Sequence, residues 1–263
     1  TDNLIMSAFD GLATVGIYSN YKLVLTNVNA LLGHVTGAFT ASIGNLNALE
    51  GRKRVYEIFR ILDFAAFLLY GYLSGGLVTL INFFIRMIFG EEYLFSMTVV
   101  VIIMAEFFIS GLRQMGLQFR EALGLFWHDR YKALAEAIIN LVVSLILVRR
   151  FGVAGIIGAT GLARLFTIFW YEPKVLFHRT FRRSAAAYFK AQGGLLLLNG
   201  AVMALSLLLC ARMGHTLMWM IIKGITCAAV TALLYTLALG RTAEYRWMLE
   251  KGRSFLRKWR KKA

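Results

Sequence analysis

The stretch FRILDFAAFLLYGYLSGGLVTLINF, residues 59–83, is almost wholly apolar and long enough to decide the fold class. An α-helix needs about 20 mostly apolar residues to cross a membrane. A basic run, Arg52, Lys53 and Arg54, lies shortly before it. Because basic residues next to a span are retained on the cytoplasmic side, we expect this segment to enter the membrane from the cytoplasm.

Apolar stretches and short polar connections alternate along the rest of the chain. The pattern predicts an all-α, polytopic transmembrane helix bundle with about seven complete spans and one truncated span at residues 1–10. The complete spans are predicted at 17–44, 59–83, 97–118, 131–149, 153–173, 191–212 and 216–239. A soluble helical core is excluded, because helices that are apolar all round would have no water-facing partners to cover them.

The basic residues follow this alternation. Most of the 29 Lys and Arg residues lie in every second connection, near 45–60, 119–132 and 174–190, and in the tail from 241. These connections and the C-terminus are therefore predicted to be cytoplasmic. The net charge of +15 follows topology instead of forming a groove between aromatic residues, so we expect membrane lipids and not nucleic acid as partners.

Three basic segments predict amphipathic helices at the inner membrane surface. They are Gly51–Arg60, Phe119–Lys132 and the tail 241–263, in which Trp247 and Trp259 stand among Lys and Arg. For the tail, a solvated and partly disordered segment is an alternative. The first residues, TDNLIMSA, resemble the end of a helix that begins earlier in the chain. We therefore expect the chain to be the C-terminal part of a longer protein.

Several charged residues lie within the predicted spans, where each costs about 2.5–3.5 kcal/mol at the helix centre. At about 1.5 Å per residue, Asp2, Glu106 and Arg164 are expected nearest the membrane midplane. Such residues usually face a bundle interior or a water-filled cavity; a static network between helices is the alternative. The full set is Asp2, Lys22, Asp63, Glu106, Arg113, Arg164 and Lys223.

Helical spacing places some of these residues on common faces. Glu106, Ser110 and Arg113 follow i, i+4, i+7 spacing, which is one face of a helix. The predicted span 17–44 has two rows of polar and small residues at helical spacing. One row consists of Lys22, Thr26, Asn29, Gly33, Thr36 and Thr40, and the other of Asn20, Asn27 and His34. We expect this helix to lie between others, along a water-accessible cavity.

No cluster of His, Cys, Asp and Glu has the spacing of metal ligands, and no cofactor is expected. Gly152, Gly155, Gly158 and Gly161 punctuate the sixth span. Together with Ala154 and Ala159 they form small-xxx-small pairs, which allow helix backbones to approach closely. We therefore interpret these glycines as packing positions.

Four segments resemble a known family. They are TDNLIMSAFDGLATVGIYSNY at 1–21, ASIGN at 41–45, FGEEYL at 89–94 and FREALGLFWHDRYKALAEAIINLVVSLILVRRFGVAGIIGAT at 119–160. They are similar to segments of bacterial lipid-linked oligosaccharide flippases. These are the O-antigen and capsular repeat-unit translocases of the multidrug/oligosaccharidyl-lipid/polysaccharide exporter superfamily.

The resemblance implies the C-terminal lobe of a two-lobed transporter in the bacterial cytoplasmic membrane, whose partner is the N-terminal lobe of the same protein. Residues 1–176 would form the lobe core, 177–240 two additional helices and 241–263 the basic tail. Such a protein is not an enzyme. It moves undecaprenyl-pyrophosphate-linked oligosaccharide from the inner to the outer leaflet by alternating access, for surface polysaccharide biosynthesis.

The resemblance also implies roles for individual residues. Arg113 and Arg164, followed by Lys22, are the expected contacts of the pyrophosphate, because Arg and Lys are suitable donors to such an anion. Asp2 or Glu106 would bind a coupling Na⁺ or H⁺, or pair with the arginines when substrate is absent. The expected sugar contacts are Asn3, Asn20 and Asn27.

Two alternatives stay open. One is a cation-coupled drug exporter or a peptidoglycan-precursor flippase of the same superfamily. The excess of basic over acidic residues in the spans favours an anionic substrate over an exporter. The other alternative is a membrane-embedded glycan-processing enzyme, which needs a catalytic carboxylate or histidine in a loop at the membrane surface. The predicted outer connections are short, and the acid pair there is Glu91 and Glu92.

Overall fold

The structure, a computed structural model, describes residues 1–125, 131–214 and 216–260. The described part of the chain is a helix bundle without strands. A 3₁₀ turn (Glu91–Tyr93) and a π-helical turn (Phe177–Phe181) join some of the helices. The α-helices are α1 (Asp2–Phe9), α2 (Leu12–Leu49), α3 (Arg52–Phe89), α4 (Met97–Leu112), α5 (Gln114–Ala122), α6 (Lys132–Phe166), α7 (Ile168–Leu176), α8 (Ala186–Cys210), α9 (Leu217–Leu239) and α10 (Ala243–Arg260).

The long helix α3 lies at the centre of the bundle. It packs most extensively against α4, α8 and α9 and also contacts α2 and α5. A chain of buried hydrogen bonds joins it to the last two spans. The Tyr235 hydroxyl donates to Oδ1 of Asn199 at 2.9 Å, and the Asn199 amide donates to the Ser74 hydroxyl at 2.9 Å. Because all three side chains are buried, these bonds fix how α8 and α9 sit on α3.

Five helical runs are long and apolar enough to cross a membrane, within the residues that the structure describes. They are Arg52–Phe89, Met97–Ala122, Lys132–Phe181, Ala186–Cys210 and Leu217–Leu239. The all-helical class predicted from sequence is confirmed, and five runs have the length and apolar composition that a membrane span requires. The predicted count of about seven differs from five for two reasons: α2 is not among these runs, and two predicted spans fall within one of them.

The helix α2 is long enough to span, with 38 residues. Polar residues such as Asn20, Lys22, Asn27 and Asn29 lower its hydropathy. Much of its surface is exposed, including Leu31 at 69%. The predicted span 17–44 is therefore a continuous helix, but it lacks a stretch as apolar as those in the five runs.

The helix α6 contains most of the two predicted spans 131–149 and 153–173. It breaks between them at Gly152, where φ is 53° and ψ is −135°. We call residues 132–151 the first arm and 153–166 the second arm. A Cβ on Gly155 would lie 2.5 Å from the backbone oxygen of Leu147. Eight residues of straight helix would separate these positions by about 12 Å, so the chain reverses at Gly152 and the arms pack antiparallel.

The predicted surface helices differ from the observed ones. Gly51–Arg60 is not a separate helix but leads directly into α3, with Val55 and Phe59 buried. Within the segment Phe119–Lys132, Phe119 and Arg120 are buried in the bundle at 0% and 3% exposure. A surface helix is therefore wrong for that part of the segment, whereas residues 126–130 lie outside the described residues.

The tail forms the helix α10, which contacts α3. An ion pair between Arg60 on α3 and Glu244 on α10 joins the two helices. The side-chain environment of Trp259 lies outside the described part, while Trp247 is 42% exposed. The predicted amphipathic tail is thus helical over Ala243–Arg260.

Candidate functional site

Two adjoining polar cavities lie between α1, α2, α4 and α6. The larger has a volume of about 380 Å³ and the smaller about 190 Å³. Both are lined by Asp2, Lys22, Thr160 and Arg164. Residues that are far apart in sequence, from Asp2 to Arg164, therefore meet at one place, which we call the central site.

Arg164, on the second arm of α6, is the hub of the central site. Its guanidinium forms ion pairs with Glu106 on α4 and with Glu136 on the first arm, the latter at 3.4 Å. It also donates to the Ser110 hydroxyl at 3.4 Å. The three charged side chains are 22–25% exposed. Arg164 is thus charge-paired yet accessible from the cavity.

A second set of contacts ties α1 to both arms of α6. The Thr160 hydroxyl donates to Oδ2 of Asp2 at 3.0 Å, and the Asn140 amide donates to the Thr160 hydroxyl at 2.8 Å. Asp2 and Asn140 both line the larger cavity. The Asp2 carboxylate and the Thr160 hydroxyl oxygen lie together here, and oxygen atoms of these two kinds are the ligands that hard cations prefer.

Lys22 enters the central site from α2. Its ammonium lies 5.2 Å from the centroid of the Tyr18 ring, a cation–π arrangement. Tyr18 is buried, whereas Lys22 is exposed. Among the described residues, Lys22 forms no ion pair, and it lines both cavities.

The lining of the central site carries both signs of charge. Among the described side chains, the acids are Asp2, Glu106 and Glu136, and the bases are Lys22 and Arg164. The sequence-based interpretation stressed the basic residues, and Glu136 was not among its candidates. Among the described side chains that line this site, carboxylates outnumber cationic groups by one.

Arg113 lies elsewhere, in a buried cluster around Glu172 on α7. Its Nε and Nη2 donate to the two carboxylate oxygens at 3.1 and 2.8 Å. The same carboxylate contacts Arg120 at 3.2 Å and also Lys132. Glu172 is 1% exposed. The structure therefore places this expected pyrophosphate contact in an ion-pair cluster, and Arg113 lines neither cavity.

The three expected sugar contacts are dispersed. Asn3 lines the larger cavity. Asn20 is half-buried and does not line either cavity. Asn27 is exposed and donates to the backbone oxygen of Leu23 at 2.8 Å. Of the expected sugar contacts, only Asn3 is brought into the central site.

Sequence reasoning missed Glu136, Asn140 and Thr160, although a signal was present. Glu136 and Asn140 are four residues apart, as are Thr160 and Arg164. Each pair therefore occupies one helix face. Because only a short link around Gly152 separates the two predicted spans, they are expected to pack antiparallel, with these two faces in contact. Considering both sides of the link together would have brought the four residues into one site.

The described residues contain no group of three or more His, Cys, Asp and Glu that could hold a metal ion. No protein-family model, no curated protein and no solved structure matches the chain.

Proposed function

We propose that the chain is part of a bacterial inner-membrane transporter that moves an undecaprenyl-pyrophosphate-linked oligosaccharide from the inner to the outer leaflet by alternating access. The observation that carries this proposal is that Arg164 and Lys22 line the same polar cavities, next to helices that are long and apolar enough to cross a membrane. Charged residues within a membrane protein usually mark a substrate or ion pathway.

The chemistry of a pyrophosphate fits these two side chains. A guanidinium donates to phosphate oxygens through a planar fork, and an ammonium supplies a compact charge with three donors. Lys22 is the freer of the two, since it forms no ion pair in the described part of the chain. Arg164 would exchange Glu106 and Glu136 for the phosphate when the ligand enters.

The ion pairs of Arg164 support alternating access for a second reason. They join α4 to both arms of α6, so a ligand that displaces the carboxylates also loosens these helices. A ligand shifts a conformational equilibrium only through such differential contacts. Asp2, with Thr160 and Asn140, would serve as the site of a coupling Na⁺ or H⁺.

The test is complementation of a strain that lacks the gene. Lys22→Gln and Arg164→Ala are compared with Arg150→Ala, which removes an exposed arginine next to the α6 reversal. We expect both site variants to lose surface polysaccharide and to accumulate the lipid-linked precursor, while the control exports normally. Lys22→Gln matters most, because it leaves no buried acid unpaired. Normal export by both variants at normal protein levels would refute the proposal.

A cation-coupled exporter is the second candidate, and the charge balance of the central site favours it. Three carboxylates and two basic groups line the cavities among the described residues, and carboxylates suit a cationic substrate or a coupling ion. The same strain separates the two functions. Increased sensitivity to cationic drugs with unchanged surface polysaccharide would support the exporter.

A further inference from the structure

A third and larger cavity lies between α3, α8, α9 and the start of α10, with a volume of about 580 Å³. It has no lining residue in common with the central site. We call it the α3/α8 groove. Its size is within the range of about 300–1,000 Å³ that is usual for small-molecule sites.

Most of the groove wall is apolar. The residues that form this part of the lining are Phe59, Phe64, Phe177, Leu195, Leu198 and Leu239. Phe59 and Phe177 also contact each other edge to face, with ring centroids 5.9 Å apart. A wall of this composition suits hydrocarbon and gives no hydrogen bonds.

The polar part of the groove is a small set of oxygen acceptors around Asp63. Gln192 donates to Oδ2 of Asp63 at 2.9 Å, and the Tyr188 hydroxyl lies 3.5 Å from Oδ1. The oxygen Oε1 of Gln192 is buried and has no hydrogen-bond partner, and the whole residue is only 2% exposed. In the described part of the protein, Asp63 forms no ion pair.

The basic residues of the groove do not neutralise Asp63. Arg60 pairs with Glu244. Lys190 lines the groove but is exposed and has no ion-pair partner among the described residues. Tyr188 and Gln192 share one face of α8. Lys190 is two residues from each of them, so it does not lie on the face that carries the acceptors. The groove thus presents an inner acceptor pair and a separate cation at its rim.

We propose that the α3/α8 groove binds the head group of an aminophospholipid of the phosphatidylethanolamine class. The primary ammonium donates to the Asp63 carboxylate and to the free oxygen of Gln192. The phosphate pairs with Lys190, and an acyl chain lies along Leu195 and Leu198. A zwitterion matches the two separated charges, and an acyl chain matches the apolar wall. This inference requires membrane embedding only and does not depend on the proposed transport function.

The oxygen acceptors of Asp63 and Gln192 also determine which lipid head group is preferred. A primary ammonium has N–H groups for both oxygens, as a lysine ammonium does. A choline head group has no N–H donor and would leave the Gln192 oxygen unpaired, which is unfavourable for a buried acceptor. A phosphatidylglycerol head group has no cation for Asp63. We therefore expect ethanolamine lipids to bind best of the three.

The experiment measures lipid retention by the purified full chain from nanodiscs with equal parts of phosphatidylethanolamine, phosphatidylcholine and phosphatidylglycerol. Native mass spectrometry counts the retained lipids. Asp63→Asn is compared with Glu57→Gln, which alters an exposed acid on the same helix. We expect wild type and Glu57→Gln to prefer phosphatidylethanolamine about tenfold, and Asp63→Asn to lose this preference. Equal preference in Asp63→Asn and wild type would overturn the proposal.

A second variant keeps the carboxylate and obstructs the groove. Gly194 lines the groove, and a Cβ at this position would meet no atom within 4 Å. The backbone at this position therefore has room for a side chain, and Gly194→Phe is chosen to reduce the volume of the groove. We expect it to fold normally and to retain less phosphatidylethanolamine than wild type. If Gly194→Phe retained the lipid unchanged, its binding would lie outside the groove and the proposal would fail.

Discussion

Asn140 on the first arm of α6 donates a 2.8 Å hydrogen bond to Thr160 on the second arm. This bond can form only because the chain reverses between the two residues, at Gly152. The same reversal brings Glu136 to Arg164. The central site therefore depends on a backbone turn that contains none of its functional groups.

The turn is the first target for a stability test. Gly152 has φ of 53°, which a residue with a side chain rarely adopts. We expect Gly152→Ala to destabilise the chain by about 1–3 kcal/mol, measured by denaturation in detergent. Gly161→Ala is the matched control, because its Cβ would meet no atom within 4 Å. An equal effect of both substitutions would contradict the strained turn.

The close approach of the two arms gives a separate prediction. A Cβ on Gly155 would be 2.5 Å from the Leu147 backbone oxygen, whereas one on Gly158 would be 3.8 Å from its nearest neighbour, a side-chain methyl of Ile102. We expect Gly155→Ala to force the arms apart and to lower stability by about 1–3 kcal/mol. Gly158→Ala should have little effect. Similar unfolding curves for the two variants would mean that the arms are not in contact here.

The Glu172 cluster predicts a strong effect of one uncharged substitution. Glu172→Gln keeps the shape but leaves Arg113, Arg120 and Lys132 around a neutral group. Removing one partner of a buried ion pair typically costs about 3–5 kcal/mol. The control is Glu57→Gln, which breaks an exposed pair with Arg54 and should cost about 0–1 kcal/mol. Thermal unfolding in detergent gives both values, and equal stability of the two variants would contradict the cluster.

The pairing of Arg164 makes a prediction about affinity. The Glu106 carboxylate pairs with the guanidinium of Arg164, and under the proposed function it would compete with a pyrophosphate for that group. Glu106→Gln removes this competition while Glu136 still holds the arginine in place. We therefore expect the purified variant to bind undecaprenyl pyrophosphate several-fold more tightly than wild type, about 1 kcal/mol.

Glu121→Gln, an exposed position on α5, serves as the control for this measurement. Weaker binding by Glu106→Gln would show that Glu106 helps to hold the ligand and does not compete with it. Unchanged binding would mean that the ligand does not use Arg164.

Part of this architecture follows from residue pattern alone. The depth of Asp2, Glu106 and Arg164 along their predicted spans indicated a common level, and the structure brings all three to the central site. The break between residues 149 and 153 was also predicted from polarity. These features depend on local hydrophobicity and helix geometry, which a single sequence carries directly.

The position of Arg113 could not be predicted from helical spacing. Its i+7 spacing from Glu106 assumed an uninterrupted helix, but α4 ends at Leu112 and α5 begins at Gln114. Its partner Glu172 is distant in sequence and lies at the end of a predicted span. Only the packing of α7 against α5 brings the two together, and spacing within one helix contains no information about that packing.

The surplus of acid at the central site has an energetic consequence. Asp2, Glu106 and Glu136 together carry more formal charge than Lys22 and Arg164 supply. A dianion entering this space meets net repulsion unless positive charge enters with it, as protons on the acids or as a metal cation. By thermodynamic reciprocity, each of the two then increases the affinity for the other. The imbalance would therefore make the binding of an anionic ligand and the binding of a cation depend on each other at this site.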